Sequence, residues 1–325
     1  MRTVFVTGGA GYVGSHSCKA FAEAGWRVVV FDSLSRGYRD LVNWGELIEG
    51  DLNDGEALKA ALAKTKPQVV AHYAAFASVP ESMREPDLYY RINVEGTRSL
   101  LAAMHETGVK QLVFSSSCAT FGVHNELITE ETRQSPINPY GATKMVGERM
   151  IQDFGAAYGM RSVILRYFNA VGVDVALETG ERNIHDPRVI PLAIRGAMDG
   201  GFTFTIFGDK LDTRDGTCVR DYVHVTDLAD AHLRALDWLD AGKESQIFNL
   251  GTGTGTSVKE LADAVERISG GKITRKIAPP RAGDPPSLVA SAAKAERVLG
   301  WKPRHSSIDT IIRTAWAWAE KDRAR

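Results

Sequence analysis

Short apolar runs alternate, along the first half of the chain, with longer stretches in which apolar residues recur every three or four positions. The short runs are typical of buried parallel strands, and the longer stretches are typical of helices that cover a sheet. The runs predict strands at 4–6, 27–31, 46–51, 68–73, 111–115 and 162–167, and the stretches predict helices at 12–24, 55–64, 87–105 and 139–158. The expected fold class is therefore α/β, with a doubly wound parallel sheet of the Rossmann kind.

The second half of the chain follows this pattern less regularly. Apolar positions predict helices at 190–198, after Asp227, after Ser257 and at 308–321, and strands at 202–207, 220–225 and 246–250. Residues 178–187 are polar and irregular, as in a loop over a polar ligand. We therefore expect a smaller C-terminal α/β domain, with the strands near 222–225 and 246–250 returning to the first sheet.

Three glycines lie between the first predicted strand and the first predicted helix, at positions 8, 11 and 14. Gly8 suits a tight turn, Gly11 lets a phosphate approach the backbone, and Gly14 lets the helix pack closely against the strand. The free N–H groups at the start of the helix then face a pyrophosphate. The order of strand, turn and helix therefore predicts a dinucleotide-binding site.

An acidic residue supports this prediction. Asp32 ends the second predicted strand, about 20 residues past the glycines, where a carboxylate can accept hydrogen bonds from an adenosine ribose. A carboxylate would repel a 2′-phosphate, so the expected cofactor is NAD and not NADP. Arg36 lies nearby and could weaken that preference.

Composition restricts the range of partners. The 325 residues are 44% hydrophobic and 24% charged, and 39 basic residues nearly balance 40 acidic ones. These values are typical of a globular chain and favour neither a nucleic-acid partner nor a membrane. Cys18, Cys118 and Cys218 are far apart and lack the spacing of metal ligands. We therefore expect no metal site and no disulfide framework, in a cytoplasmic protein without a signal peptide.

A second candidate site follows the strand at 111–115. Ser117 lies near the end of that strand, at the edge of the sheet where ligands bind. Tyr140 and Lys144 are four residues apart on a predicted helix, so both project from one face. An ammonium beside a phenol favours the phenolate, so we expect Lys144 to lower the pKa of Tyr140 toward neutrality. Such a phenol can take a proton from a sugar hydroxyl as a hydride leaves the carbon.

Five motifs carry a resemblance to a known family: Thr-Gly-Gly-Ala-Gly-Tyr-Val-Gly-Ser-His at 7–16, Phe-Ser-Ser-Ser at 114–117, Tyr-Gly-Ala-Thr-Lys at 140–144, Arg-Tyr-Phe-Asn at 166–169 and Asp-Gly-Thr-Cys-Val-Arg-Asp-Tyr-Val-His-Val at 215–225. With these motifs the whole chain resembles the extended short-chain dehydrogenase/reductase family, and within it the nucleotide-sugar 4-epimerases. The last two motifs are the more specific ones. The resemblance implies that residues 1–170 form an NAD-binding domain and that 171–325 mainly form a UDP-sugar-binding domain.

The resemblance also implies a reaction, the interconversion of UDP-glucose and UDP-galactose through a 4-keto sugar, with NAD that stays bound. Tyr140 would take the proton from the C4 hydroxyl, and Ser117 would hydrogen-bond the same oxygen. Lys144 would hold the nicotinamide ribose. A homodimer is implied as well, in which the helices at 87–105 and 141–158 of two subunits meet.

Binding residues are implied in the same way. The resemblance places NAD on Gly8, Gly11, Tyr12, Val13, Asp32, Ser33, Asp51, Leu52, Tyr73, Ala74, Ala75, Asn93, Tyr140, Lys144 and Tyr167. It places the UDP-sugar on Ser117, Tyr140, Asn169, Arg188, Val189, Phe207, Arg220, Arg281 and Asp284. The guanidinium groups suit a diphosphate. On spacing alone, an equally good interpretation is structural, with Arg220 paired to Asp221 and Arg281 paired to Asp284.

Three positions depart from the pattern of the family. Ala77 stands where some members carry a lysine that reaches the cofactor, and Arg188 stands where asparagine or histidine is frequent. Leu288 stands where a tyrosine restricts the sugar pocket in some members. Substrates other than UDP-hexoses therefore stay open, namely UDP-N-acetylhexosamines, UDP-pentoses and UDP-uronates.

Two other functions are weaker alternatives. A nucleotide-sugar 4,6-dehydratase needs an acidic pair after Ser117, which Cys118 and Ala119 do not supply. A catalytically silent NAD-binding regulator could keep the glycine turn without the catalytic side chains. The presence of both Tyr140 and Lys144 argues against such a regulator.

Overall fold

The computed structural model describes residues 2–124, 126–182, 188–281 and 284–323. The strands are β1 (Thr3–Thr7), β2 (Arg27–Asp32), β3 (Glu46–Glu49), β4 (Val69–His72), β5 (Gln111–Ser117), β6 (Arg161–Tyr167), β7 (Asn169–Val171), β8 (Thr203–Phe207), β9 (Val219–Arg220), β10 (Tyr222–His224), β11 (Gln246–Leu250), β12 (Thr256–Ser257), β13 (Thr274–Ala278) and β14 (Ser287–Leu288). The α-helices are α1 (Tyr12–Glu23), α2 (Gly55–Thr65), α3 (Val79–Arg84), α4 (Pro86–Tyr89), α5 (Gly96–Thr107), α6 (Pro139–Tyr158), α7 (Val189–Met198), α8 (Val225–Asp240), α9 (Val258–Ser269) and α10 (Ile308–Arg323).

The main sheet of the described residues has seven parallel strands in the order β11-β6-β5-β4-β1-β2-β3. The chain builds outward from β1 to β3 and then returns to the other side of β1 with β4, so the strand order reverses between β1 and β4. Ligands of such sheets bind at the carboxyl ends of the strands beside this reversal. The doubly wound parallel sheet expected from the sequence is therefore confirmed.

Apolar residues on alternate strand positions bury both faces of the main sheet. Val4 and Val6 of β1 pack with α1 and α8 in one cluster, whereas Phe5 packs with α2, α5 and α6 in another. Side chains of a strand alternate between the two faces, so one short apolar run supplies both clusters. The continuous apolar runs of the sequence are explained by this burial on both sides.

A smaller group of elements follows the main sheet. β8 pairs with β13, β9 lies between β12 and β14, and β10 pairs with β7. Helices α7, α9 and α10 enclose a separate apolar cluster with Phe204 and Ile206 of β8. β11 lies beside β6, so residues 246–250 belong to the main sheet, whereas residues 222–224 do not.

The segment after β4 contains the helix expected at 87–105, which runs without a break from α4 to α5 and includes a π-helical segment at Tyr90–Glu95. A separate short helix, α3, precedes it. Ser78 caps α3 and accepts a hydrogen bond from the N–H of Glu81, with proline in the first turn. The Ser-x-x-Glu spacing is a capping signal, which apolar periodicity alone does not detect.

Asp227 has a different role from the helix cap expected of it. The helix begins earlier, at Val225, and the side chain of His224 serves as its N-cap. The buried Asp227 carboxylate instead accepts hydrogen bonds from the N–H groups of Arg304 and His305 and from the Ser306 hydroxyl, at 3.0, 2.9 and 2.6 Å. Asp227 thus ties the segment before α10 to the start of α8. The predicted caps Asp54 and Ser257 are confirmed.

None of the helices in the described ranges combines the length and the apolar character that spanning a membrane requires.

Asp227→Ala removes the acceptor of three donors, so we expect the free energy of unfolding to fall by about 3 kcal/mol. Urea denaturation measures this loss. Asp230→Ala is the matched control, because Asp230 lies on the same helix and forms a partly exposed ion pair with Arg234. Loss of that pair should cost about 0.5 kcal/mol or less. Equal losses for the two variants would contradict the proposed tie.

Candidate functional site

The turn between β1 and α1 is tight and centres on Gly8. Gly8 has a φ of +76°, and its N–H donates to the carbonyl oxygen of Phe31 over 3.0 Å. Its carbonyl oxygen accepts from the N–H of Gly11, the N-cap of α1. The first N–H groups of α1, including those of Tyr12 and Val13, have no acceptor within the helix. They are available to an anion at this end of the sheet.

The backbone around this turn is too close for side chains. A Cβ atom at Gly8 would lie 2.5 Å from the amide nitrogen of Ala74, and one at Gly14 would lie 2.2 Å from the carbonyl oxygen of Gly8. At Gly11 the nearest atom would be the same carbonyl oxygen, at 3.3 Å. The three glycines therefore keep a cradle of backbone that a Cβ atom would fill. Its shape and its free N–H groups fit a dinucleotide pyrophosphate.

Asp32 lies at the end of β2, beside the glycine turn. Its two carboxylate oxygens accept from the N–H groups of Ala10 and Leu34, at 3.0 and 2.9 Å. Burial raises the pKa of Asp32, and the two backbone hydrogen bonds oppose that rise. The carboxylate has further lone pairs, so it can still accept from a ribose hydroxyl. The predicted Ser33 follows it on the exposed loop.

Arg36, the cation near this carboxylate, is held by another segment. Its guanidinium donates to both carboxylate oxygens of Glu81, at 2.7 and 2.6 Å, and its Cζ atom lies 3.6 Å from the ring centroid of Phe76. Glu81 also accepts from the Tyr89 hydroxyl at 2.8 Å. A guanidinium neutralised in this way attracts a 2′-phosphate less, which supports the preference for NAD. The sequence analysis missed Glu81, because no motif places this side chain beside Arg36.

The remaining residues predicted near the adenosine and the nicotinamide follow β3 and β4. The exposed Asp51 turns back to accept from the N–H of Asn53, and Leu52 is buried. The N–H groups of Tyr73 and Ala74 both donate to the Thr7 carbonyl oxygen, at 2.9 and 3.1 Å. Ala75 follows them and is half-buried. These residues lie along the same edge of the sheet as the glycine turn.

Asn93, another predicted cofactor residue, lies in the π-helical segment and is buried. Its side-chain oxygen accepts from the N–H of Phe76 at 2.8 Å. Its side-chain nitrogen donates to the Phe76 carbonyl oxygen and to the Thr143 hydroxyl, both at 3.0 Å. Asn93 therefore joins the loop after β4 to α6, which carries Tyr140 and Lys144.

Ser117, Tyr140 and Lys144 are brought together at the ends of β5 and β6, and all three are buried. Ser117 ends β5, opposite Tyr167 at the end of β6. Tyr140 lies in the first turn of α6, and Asn138 caps that helix by accepting from the N–H of Gly141 at 2.8 Å. One turn later, the Lys144 ammonium donates to the Ser115 carbonyl oxygen over 2.8 Å. A phenol, a hydroxyl and an ammonium thus lie around the end of β5.

The expected low pKa of Tyr140 is wrong for the protein alone. Burial raises the pKa of Tyr140 above its ordinary value, the nearby Tyr167 raises it further, and the Ser117 hydroxyl partly opposes the rise. Burial also lowers the pKa of Lys144, to about 8. The physical reason is desolvation, which disfavours the charged form of both groups.

A histidine of α8 also contacts the end of β5. His232 of α8 is buried, with Nδ1 2.8 Å from the Leu228 carbonyl oxygen and Nε2 2.9 Å from the Ser115 hydroxyl. The carbonyl requires a proton on Nδ1, so Nε2 accepts from Ser115. Burial lowers the pKa of His232 to about 4, so the ring stays neutral at neutral pH. Its ring lies 4.7 Å from that of Tyr73. The sequence analysis missed His232, because no motif places α8 against β5.

Four of the residues predicted to bind UDP contact one another in two pairs, both in the second half of the chain. The Arg281 guanidinium carbon lies 3.9 Å from the ring centroid of Phe207, at the end of β8. Arg220 is buried and pairs with Asp284, and it also donates to the Val219 carbonyl oxygen. Neither pairing of the structural interpretation forms, since Arg220 does not bond Asp221 and Arg281 does not bond Asp284 among the described contacts. The partner of Arg220 is instead Asp284.

Asp221 has a role that the sequence analysis missed. It lies between β9 and β10 and is fully buried. Its carboxylate accepts from the N–H and the hydroxyl of Thr252, from the N–H of Gly253 and from the N–H of Ala290. The glycine-rich run after β11 could have indicated this role, because its backbone N–H groups need an acceptor.

Arg188 connects the two halves of the site. It donates to the Ala170 carbonyl oxygen at 3.2 Å and forms an ion pair with Glu181 at 3.2 Å, and its guanidinium carbon lies 4.9 Å from the Tyr12 ring centroid. The Tyr12 hydroxyl donates to the Gly172 carbonyl oxygen at 2.5 Å. Val189 begins α7, next to Arg188. Part of the polar stretch predicted at 178–187, residues 183–187, lies outside the described residues.

Three other predicted positions are described. The backbone N–H of Asn169 donates to the Asp221 carbonyl oxygen at 2.9 Å, in β7. Leu288 is buried and pairs with Arg220 across β14 and β9. Ala77 is exposed. Within the described ranges, no group of three or more His, Cys, Asp or Glu side chains could hold a metal ion.

Comparisons with known proteins agree with this geometry. Residues 4–251 match the NAD dependent epimerase/dehydratase family. A protein named UDP-glucose 4-epimerase from Rhizobium meliloti is 48% identical over 318 residues, which cover 98% of this chain and 97% of that one. The structure of UDP-glucose 4-epimerase from Brucella ovis in complex with NAD is 45% identical, with a TM-score of 0.94 over 98% of both chains.

A third similar protein, a UDP-glucose 4-epimerase from Stenotrophomonas maltophila, was solved with bound NAD and formylated UDP-arabinopyranose. It is 36% identical, with a TM-score of 0.96 over 100% of both chains. The family resemblance inferred from the motifs is thereby confirmed.

Gly8→Ala should abolish NAD binding, because the new Cβ atom would lie 2.5 Å from the Ala74 nitrogen and would displace the turn. Isothermal titration with NAD measures the loss on protein freed of cofactor. Gly108→Ala is the matched control, since Gly108 has a φ of +75° and open space around it. That variant should lose about 1–2 kcal/mol of stability and keep its NAD affinity. Unchanged NAD affinity in Gly8→Ala would contradict the role of the turn.

Proposed function

Since the chain belongs to the NAD dependent epimerase/dehydratase family, and uses NAD, we propose that it interconverts UDP-glucose and UDP-galactose, as a UDP-glucose 4-epimerase. The observation that carries this proposal is the burial of Ser117, Tyr140 and Lys144 around the end of β5, with the Ser117 hydroxyl against the Tyr140 phenol and the Lys144 ammonium on the Ser115 carbonyl oxygen. NAD bound there would supply an acceptor for the C4 hydride and a positive charge.

Tyr140 is the proposed base for the C4 hydroxyl. Its burial disfavours the phenolate, so the phenol needs neighbouring positive charge to release its proton. Lys144 supplies such a charge, because a pKa of about 8 leaves it mainly protonated at neutral pH. Ser117 is the proposed hydrogen-bond partner of the C4 oxygen, where it would stabilise the developing charge. The same phenol would return the proton when the hydride comes back to the other face of the 4-keto sugar.

The UDP group is proposed to bind where Phe207, Arg220, Arg281 and Asp284 gather, in the part of the chain after residue 170. The uracil would lie near the Phe207 ring, and the two guanidinium groups would face the diphosphate. Arg220 would exchange part of its contact with Asp284, so that the carboxylate could accept from the uridine ribose. Asn169 would add its side-chain amide. Tight binding of UDP combined with few contacts to the hexose would let the 4-keto sugar rotate and present its other face.

The substrate range depends on the space beside Leu288 in this proposal. Leucine is smaller than the tyrosine of some relatives, so a UDP-N-acetylhexosamine is the second candidate substrate. UDP-pentoses and UDP-uronates would use the same catalytic side chains. Arg188 and Val189 at the start of α7 are further proposed contacts of the sugar nucleotide.

A homodimer is proposed from the helices beside β5. Tyr90 of the π-helical segment and Tyr158 at the end of α6 are each 43% exposed, and Met83 of α3 is 50% exposed. Contact between two copies through α5 and α6 would cover such side chains. We also propose a reducing compartment, the cytoplasm, because all three cysteines are free thiols.

The first experiment mixes purified protein with UDP-galactose, without added cofactor, and follows UDP-glucose. Product is expected, because the hydride returns to the substrate it left and bound NAD is regenerated in each cycle. Parallel reactions with a UDP-N-acetylhexosamine, a UDP-pentose and a UDP-uronate define the substrate range. No product from any of them, even with NAD supplied, would contradict an epimerase and favour the silent NAD-binding regulator.

Tyr140→Phe removes only the hydroxyl of the proposed base, so we expect turnover to fall at least about 1,000-fold while NAD stays bound. Turnover of UDP-galactose and the NAD content of the purified variant are the two measurements. Tyr158→Phe, at the other end of α6, is the matched control and should keep its activity. An active Tyr140→Phe variant would refute the proposed base.

Light scattering at micromolar concentration should give twice the mass of one chain, because burial of the exposed Met83, Tyr90 and Tyr158 side chains would favour association of two copies. A mass of one chain would refute the proposed dimer.

A further inference from the structure

A buried carboxylate lies one turn beyond Lys144 on α6. Glu148 is 2% exposed, and it accepts hydrogen bonds from three separate parts of the chain. The Ser116 hydroxyl of β5 donates to one of its oxygens. The Arg166 guanidinium of β6 donates to both oxygens, with distances of 2.6 to 3.1 Å. The Gln134 amide nitrogen, in the loop before α6, donates over 3.0 Å.

Arg166 is itself enclosed. The residue is 5% exposed, and its guanidinium carbon lies 5.2 Å from the ring centroid of Phe121. A buried ion pair loses much of its Coulomb energy to desolvation, and apolar side chains of equal volume are often as stable. Stability alone therefore explains little about a charged pair at this position. We therefore look for the role of the Glu148–Arg166 pair in the groups that it positions or in the charge that it provides.

Two of the three partners of Glu148 are directly next to residues of the proposed site. Ser116 precedes Ser117 at the end of β5, and Arg166 precedes Tyr167 at the end of β6. On its own helix, Glu148 follows Lys144 by one turn, on the same side. The carboxylate thus holds α6 against the two strand ends. Loss of these hydrogen bonds would let α6 shift relative to Ser117 and Tyr167.

The same carboxylate is the negative charge closest in sequence to Lys144. Among the described residues, the other groups given beside the ammonium are neutral: the Ser115 carbonyl oxygen at 2.8 Å, the Phe114 ring at 4.9 Å, and His72 of β4. The Tyr140 phenol is neutral in its resting form as well. Burial lowers the pKa of Lys144 to about 8, and the charge of Glu148 opposes that fall. Arg166, the second charged group of the cluster, lessens this effect of Glu148.

We propose that Glu148 is a positioning residue for proton transfer at C4, which holds α6 against the ends of β5 and β6 and keeps Lys144 in its ammonium form. This inference deepens the proposed function and rests on it. It assigns to Glu148 two separable contributions, one from the length of the side chain and one from its charge. Two substitutions can therefore test the contributions of length and charge separately.

Glu148→Gln keeps the length and removes the charge. Without the carboxylate, burial lowers the pKa of Lys144 further, so the ammonium is lost at a lower pH. The alkaline limb of the kcat profile should therefore shift to lower pH by about one unit. The fall in kcat should be several-fold larger at pH 9 than at pH 7. A structural defect alone would lower kcat without moving the limb.

Glu148→Asp keeps the charge and shortens the side chain. Its alkaline limb should stay near that of the unaltered protein, while kcat falls about 10-fold or more at every pH because α6 is no longer held at the same distance. Asp153→Asn is the matched control, since Asp153 lies on the same helix in an exposed pair with Arg149. That variant should keep both kcat and the pH profile. Thermal unfolding and NAD binding of each variant show whether it folds.

The outcomes separate this inference from the proposed function. An unaltered protein that turns over none of the UDP-sugars overturns the function. An active unaltered protein whose Glu148→Gln variant keeps its alkaline limb overturns the charge contribution, and an unchanged kcat in Glu148→Asp overturns the positioning contribution. If Glu148→Gln does not fold, Glu148→Asp still tests the inference, because an unchanged kcat in that variant overturns the positioning contribution.

Discussion

Close contact between two backbone segments, the turn at Gly8 and the chain at Ala74, is the constraint on which the site depends. A Cβ atom at Gly8 would lie 2.5 Å from the Ala74 nitrogen, so the two segments can meet only because that side chain is absent. The contact holds the start of α1 beside the ends of β1 and β4, where the strand order reverses. Cofactor cleft and catalytic strand ends therefore lie along one edge of the sheet.

Buried polar groups organise the layers behind this edge. Asn93 joins the loop after β4 to α6, His232 joins α8 to Ser115, and Glu148 joins α6 to the ends of β5 and β6. Each of these side chains has several partners on different elements, so the position of each catalytic group is set by more than its own helix or strand. Such networks are costly when incomplete, which favours one arrangement of the layers over alternatives.

Burial sets the direction of the pKa shifts of Tyr140 and Lys144. Desolvation raises the pKa of Tyr140 and lowers that of Lys144, so burial opposes the charged form of both groups in the protein alone. The sequence placed a cation beside a phenol and led to the opposite expectation for Tyr140. Burial was the larger effect, and sequence spacing does not report burial. In the proposed reaction, the added positive charge of the cofactor would tip the balance toward the phenolate.

The sequence by itself determined the doubly wound sheet, the glycine turn, the acidic end of β2 and the placement of Tyr140 and Lys144 four residues apart on one helix. All of these depend on local periodicity or on short spacings, which are properties of the sequence itself. Tertiary structure decided the partner of Arg220, the neutralisation of Arg36 by Glu81 and the π-helical segment around Asn93. It also decided the contacts that join Glu148 to the ends of β5 and β6. The residues of these contacts meet mostly across different elements of the fold. Their geometry follows from how the layers pack, which no local pattern records.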